Sequence, residues 1–369
     1  MLIAFALGLF LSLGHVTGLK VREVNLKIWD VDDSCKPYLS LLQKAFDDAA
    51  TMSAKALKDL KFVQQPRPQQ DTKRRESLEW DRIARAVNNI FGFNPDEQGT
   101  NSENKFMQKV LGVYDRMSAA LRGNENIPAK GFTELHSKAL LICGDEPWKW
   151  YSVNDIDPYD PERQPLHISQ PGVEGKGAWA YKHRYHSNGN PNSIGICRPE
   201  IYAVTQPQYD MITFCGLSFA DSTTEVVSPV DKRPNVEEGA IIRRKKSTDI
   251  DNPAAPKCHW LTFSFFYLVV DHRAVSKYGE LPFSYFDQSR NKVRYVPSSK
   301  RKDGVRYGEP VVYYYAFVTR LAMSHEGQFA QNSGPDKATG TAEAYAYFAM
   351  MAYLDNFDWS LDGKAKRLG

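Results

Sequence analysis

The period of the apolar residues changes twice along this chain, and that change limits the possible folds more than any other feature. Over residues 35–60, Leu42, Ala45, Phe46, Ala49, Met52, Ala56 and Leu60 recur at helical spacing, behind Asp32, Asp33 and Ser34 as candidate caps. Two further helices are expected over residues 77–91 (Trp80, Ile83, Ala84, Val87, Ile90 and Phe91 on one face) and 103–121 (Met107, Val110, Tyr114, Met117 and Leu121), the second stopped by Gly123. The middle third instead has short apolar runs at 139–143, 177–185, 200–205 and 211–219, separated by Pro, Gly and Asn, which read as strands. Helical spacing returns at 311–323 and 342–354, and the apolar run 259–270 reads by its length as a core helix. Stretches 221–257 and 271–309 follow neither period and read as long loop insertions. Helices first, a small sheet next and helices last make an α+β arrangement. No repeat or linker divides residues 19–369, which are expected to form a single domain.

The N-terminus bears on where such a chain works. Residues 2–13, LIAFALGLFLSL, are apolar and uncharged, but shorter than the roughly 20 residues a membrane-spanning helix needs. They fit the hydrophobic region of a signal peptide, with Val16 and Gly18 small enough to place cleavage after Gly18. Lys20, Arg22 and Glu23 follow at once, and no later stretch is long and apolar enough to cross a membrane. The expectation is a secreted, extracellular protein without a membrane partner. A net charge of +3 argues against a nucleic-acid partner, and the basic clusters at 243–246 and 300–302 sit in polar surroundings, as solvated loops do. Five cysteines, Cys35, Cys143, Cys197, Cys215 and Cys258, should partly pair in an oxidising compartment, with an odd one left over.

Three segments, in order along the chain, resemble one family. EIYAVTQPQYDMITFCGLSF (200–219), with Cys197 just ahead, resembles the hairpin of fungal secreted zinc endopeptidases of the deuterolysin and lysine-specific type. There a Cys precedes an A-Y-T-x-P strand and a second Cys follows within an I-x-x-C strand. SCKPYLSLLQKAFDDAATMSAKA, opening at Ser34, resembles that family's first helix. AEAYAYFAMMAYL (342–354) resembles its closing helix, N-A-D-S-Y-x-x-F-A, through Ala342, Tyr345, Phe348 and Ala349, with Thr341 in place of Asn and Glu343 in place of Asp. The resemblance implies a zincin-like metallopeptidase fold, a fungal source, peptide-bond hydrolysis by one zinc ion, and a bridge between Cys197 and Cys215. It leaves the pairing of Cys35, Cys143 and Cys258 open.

Zinc chemistry of that kind needs two His one helical turn apart, a Glu beside the first as general base, and a third ligand further on. No intact HExxH is present. In one register, residues 325–329 (HEGQF) are a broken motif: His325 and Glu343 would be ligands and Glu326 the base, with Phe329 where the second His belongs. In the other, better-fitting register, residues 258–267 (CHWLTFSFFY) take the place of the zinc helix, Phe265 and Phe266 stand where His and Glu are expected, and 315–322 (YAFVTRLA) matches the helix before the closing one. A phenyl ring donates no lone pair, so neither register assembles three protein ligands. His183 and His186, three apart on a strand-like run, would point to opposite faces and read as surface histidines. Asp155, Asp157, Asp160 and Glu162 lie in a Pro-rich stretch and read as surface acids. No GxSxG, phosphate-binding loop or dinucleotide fingerprint occurs. The expected function is that of a non-catalytic relative, without a cofactor, binding an extracellular protein or peptide along the edge strand of the former substrate cleft. The alternative is an active zinc endopeptidase using His325, Glu326 and Glu343.

Overall fold

The computed structural model describes residues 29–95, 104–122, 139–173, 175–187, 190–199, 201–206, 209, 211–220, 229–242, 284–287, 292–295, 315–323 and 334–368. Residues 1–18, read as a signal segment, Cys258, the run 259–270 and residues 325–329 lie outside these. Within them the architecture is α+β, built as helices on one face of a small sheet and β structure on the other.

The chain enters through strand β1 (Trp29–Val31) and turns through a 3-10 segment, Asp33–Tyr38, capped where Asp32 accepts a hydrogen bond from Ser34 N at 3.0 Å. Helix α1 (Leu39–Val63) buries Leu42, Ala45, Phe46, Ala49, Met52, Ala56, Leu60 and Val63, the face its period specifies. Helices α2 (Arg74–Phe91) and α3 (Lys105–Arg122) follow. Strand β2 (Ala139–Cys143) returns parallel to β1, and Cys35 is bridged to Cys143, tying the lead-in of α1 to the end of β2.

Five more strands complete the β structure on this side: β3 (Lys149–Ser152), β4 (Gly177–Tyr181), β5 (Arg184–His186), β6 (Ala203–Gln206) and β7 (Met211–Phe214). The main sheet has the order β1-β2-β7-β6, with β1, β2 and β7 parallel and β6 antiparallel at the edge. Alternation sorts its side chains. Leu141, Ile212 and Phe214 join the helical core, while Leu140, Ile142 and Met211 join a second apolar cluster with Trp148, Ile194 and Ile196. Over that second cluster lies an antiparallel sheet, β3-β4-β5.

After a short helix, α4 (Pro229–Lys232), a hairpin of β8 (Ser284–Asp287) and β9 (Lys292–Tyr295) precedes helices α5 (Tyr315–Ala322), α6 (Gly334–Ala338) and α7 (Ala342–Tyr353). Helix α7 is apolar apart from Glu343 and is buried from Ala342 to Ala352, as so apolar a helix must be. It packs on α1, α2 and α5. Tyr345 and Phe348 lie against Phe91 of α2 and Tyr114 of α3, and the Tyr114 hydroxyl donates to the Tyr345 carbonyl at 2.6 Å. Aromatic pairs of this kind add about 1 kcal/mol each beyond their buried area.

Two helix ends converge on the carbonyl of Ala322. Gly92 ends α2 in the left-handed region at φ +79, and both Gly92 and Gly334 approach that oxygen so closely that a Cβ on either would overlap it. Gly92→Ala is therefore expected to lower the unfolding free energy by about 2 kcal/mol or more, strain and overpacking adding together. Urea denaturation followed by circular dichroism checks this, and a loss under 0.5 kcal/mol would show that the contact relaxes freely.

Several elements differ from the sequence reading. Residues 177–185 form two strands, not one, because Lys182 and His183 take positive φ (42 and 60) and make a tight turn. The strand read over 211–219 stops at Phe214, and a 3-10 turn, Gly216–Phe219, follows Cys215. Neither long insertion is wholly loop. Residues 229–242 carry α4, with Ile241 bridging to Lys364, and 271–309 carries the β8–β9 hairpin. Each of these elements is four residues or shorter, too short to show a period.

Candidate functional site

Of the residues tied to zinc by sequence, Glu343 is described, and His325 and Glu326 lie outside the described residues. Glu343 sits in the first turn of α7 and is 2% exposed, at the N-terminal end of a helix, where a carboxylate suits the dipole. The preceding turn is also polar and buried. Thr339 Oγ1 donates to the Pro335 carbonyl at 2.7 Å and Thr341 Oγ1 to the Lys337 carbonyl at 3.1 Å, while burial pushes the Lys337 ammonium below its ordinary value. Among the described residues no three His, Cys, Asp or Glu converge as a metal site would require. In the register that uses them, His325 and Glu343 would give one imidazole and one carboxylate where a catalytic zinc ion needs three protein ligands, and Phe329 stands at the sequence position of the second His.

The β6–β7 hairpin is built more firmly. Cys197, ahead of β6, is bridged to Cys215, just after β7. Cys215 N donates to the Tyr202 carbonyl at 2.7 Å, and Ser218 Oγ donates to the same oxygen at 2.6 Å. Thr213 Oγ1 donates to Gln206 Oε1 at 3.2 Å across the pair. Ala203 packs against the helical core and Val204 against the second cluster. Among the described residues β6 has a strand partner, β7, on one side only. It is thus a short, well-anchored strand whose outer N–H and C=O groups have no strand beside them among the described residues.

Behind the sheet is a polar layer that sequence reasoning missed. Asp157 is not a surface acid: it is 2% exposed and organises the segment between β3 and β4. It accepts from Tyr159 N at 2.9 Å, from the Ser169 hydroxyl at 2.7 Å and from the Tyr185 hydroxyl at 2.7 Å. Burial alone would raise its carboxyl, but these donors outweigh it and hold the group below its ordinary value. Asp32 behaves alike: burial opposes ionisation, while the hydroxyl of Tyr181 and the Ser34 donors prevail and hold it low.

The two histidines also separate differently from the sequence reading. His183, in the turn, is exposed with its ring tilted against that of Tyr159 at 4.7 Å, whereas His186 is half-buried and its Nδ1 lies 3.1 Å from the Tyr209 hydroxyl. A signal was available: Gly144-Asp145-Glu146-Pro147 ends a buried strand with a carboxylate, and Tyr209 sits between two strands. Nothing in one dimension joins them to His186. No protein-family model, curated protein or solved structure matches the chain.

Proposed function

We propose that this is a secreted, non-catalytic relative of the zinc endopeptidases it resembles, and that it binds an extended segment of an extracellular protein or peptide along β6. The observation that carries the reading is the edge strand itself, disulfide-anchored and bordered by a strand on one side only among the described residues. An extended peptide laid against such an edge gains main-chain hydrogen bonds with little ordering of the receptor. Two disulfides suit an oxidising extracellular medium, as does the N-terminal apolar segment. No helix among the described residues is long and apolar enough to cross a membrane. The zincin-like part of the reading is supported by the order of helices and strands and by the position of Glu343 at the start of the closing helix.

The test has two arms. Metal analysis of the purified mature protein is expected to find far less than one zinc per chain, with no chelator-sensitive cleavage of an unfolded protein substrate. One tightly held zinc, with hydrolysis lost in Glu326→Gln, would establish the active-enzyme reading instead. In the second arm, decapeptides selected from an unbiased library are resynthesised with N-methyl groups at alternate positions. Binding should fall about tenfold or more in one phase of methylation only, because alternate N–H groups face the edge. Equal tolerance of both phases would exclude strand addition.

A further inference from the structure

Four segments distant in sequence meet around His186. The turn leaving β2 supplies Asp145, whose Oδ2 accepts from Cys197 N at 3.0 Å. Its other oxygen, Oδ1, is buried and has no hydrogen-bond partner among the described residues. The connection between β6 and β7 supplies Tyr209, whose hydroxyl is 3.1 Å from His186 Nδ1 and whose ring lies edge-on to the imidazole at 6.0 Å. Ile194 supplies a backbone carbonyl to the imidazole. Trp148 packs against the Tyr209 ring at 6.3 Å, and Arg184 Nε donates to the Tyr209 carbonyl at 2.6 Å. Among the described residues, the charged group that acts on the imidazole is Asp145, which Glu146 neighbours in the turn; Arg184 lies on the same strand, with Nε turned to the Tyr209 carbonyl. Strand β4 places Trp179 opposite His186, and residues 190–197 bring no charge.

A neutral imidazole has a single N–H. With that hydrogen given to the Ile194 carbonyl, Nδ1 must accept from the Tyr209 hydroxyl. A proton from solvent on Nδ1 removes that lone pair, so Tyr209 can no longer donate there: its hydroxyl must rotate to accept from Nδ1–H and turn its own hydrogen elsewhere. The resulting cation then sits near a carboxylate that still has one oxygen open. Both ends of the edge-strand hairpin depend on these groups: Tyr209 lies at its turn, and Cys197, held by Asp145, lies ahead of it.

We propose that Asp145, His186 and Tyr209 form an acid-responsive latch on the β6–β7 hairpin, in which protonation of His186 ends the Tyr209 donation, draws the ring toward the open oxygen of Asp145 and loosens the hairpin turn. The latch stands on its own geometry. Where β6 does bind a peptide, acid would weaken that binding, but the latch is measured without one.

The sign follows from the surroundings. Burial holds His186 below its ordinary value of 6.5, against the pull of Asp145 and the Ile194 carbonyl. The native state thus binds fewer protons than the unfolded chain over that window. The latch contributes fully above about pH 6.5 and is lost as pH falls toward the folded value. Burial also raises the Asp145 carboxyl, against the Cys197 N–H, so this carboxylate too becomes easier to protonate in acid.

Hydrogen exchange of residues 203–214, corrected for intrinsic rates, tests this at about pH 7.5 and about pH 5.5. Protection is expected to fall roughly fivefold or more in acid in the wild type. His186→Gln keeps an acceptor for Tyr209 and a donor for Ile194 but takes up no proton, so its protection should be the same at both values. Unchanged wild-type protection, or an acid loss that persists in His186→Gln, would overturn the latch. If that variant fails to fold, the wild-type histidine resonances decide: His186 should titrate together with the Tyr209 ring signals. Titration of the imidazole with the Tyr209 signals unmoved would overturn the latch equally, and none of these outcomes bears on whether peptides bind β6.

Discussion

Replacing Cys35 and Cys143 together by alanine is expected to lower the unfolding free energy by roughly 4–5 kcal/mol. The bridge closes a separation of 108 residues, against 18 for Cys197–Cys215. In the chain-entropy account a cross-link stabilises by restricting the unfolded ensemble, and the restriction grows slowly with loop length, so the shorter bridge should contribute roughly 3 kcal/mol. Position sharpens the expectation. Cys35 is fully buried at the lead-in to α1 and Cys143 ends β2, so this bridge clamps the helical layer to the sheet. Denaturant titration of the two double-alanine variants under oxidising conditions measures both values. If Cys35→Ala/Cys143→Ala proved no worse than Cys197→Ala/Cys215→Ala, unfolded-state entropy would not be the controlling term.

Asp59→Ala is expected to cost about 3–5 kcal/mol, because it strands a buried cation. Asp59 and Arg82 are each 3% exposed, with 3.3 Å between Asp59 Oδ2 and Arg82 Nη2. Burial pushes the Asp59 carboxyl up, and Lys55 and Arg82 oppose it, Lys55 from 2.6 Å. Lys55 in turn reaches Asp355 at 3.1 Å, and Arg233 reaches the same carboxylate at 2.6 Å, so the network links α1, α2 and the segment after α7. Without Asp59, Arg82 keeps its charge in an apolar setting. Asp59→Leu combined with Arg82→Met removes both charges and should recover most of the loss, leaving a deficit of about 1 kcal/mol. Thermal and urea unfolding of the single and double variants supply the comparison. A double variant as unstable as Asp59→Ala would mean that packing, rather than the stranded charge, sets the cost.

The residues that were legible in sequence share one property: their environment is fixed by neighbours within one or two helical turns. The faces of α1, α2 and α3 follow directly from apolar spacing. Strand β2 was recognisable as a continuous apolar run with core on both faces. Short elements were not. β1 has three residues, β3 has four, and the turn at Lys182 and His183 contains no glycine to mark it.

The polar layer was harder still. Asp157 and Glu162 are five residues apart in the same Pro-rich stretch and look alike in sequence, yet one is buried under four donors and the other is exposed. What separates them is Tyr185, which arrives from the far side of a hairpin. His186 is similar. Its chemistry depends on Asp145, Ile194 and Tyr209, contributed by segments that only the packing of β5 beneath the main sheet brings together.

By itself, the order of amino acids determined the α+β class and the faces of the long helices, because period is a local property. Only the tertiary structure decided which acid is buried, which cysteine meets Cys35, and which groups surround His186. Those outcomes depend on distances between segments as much as 108 residues apart, and such distances are set by how layers pack rather than by any neighbouring side chain.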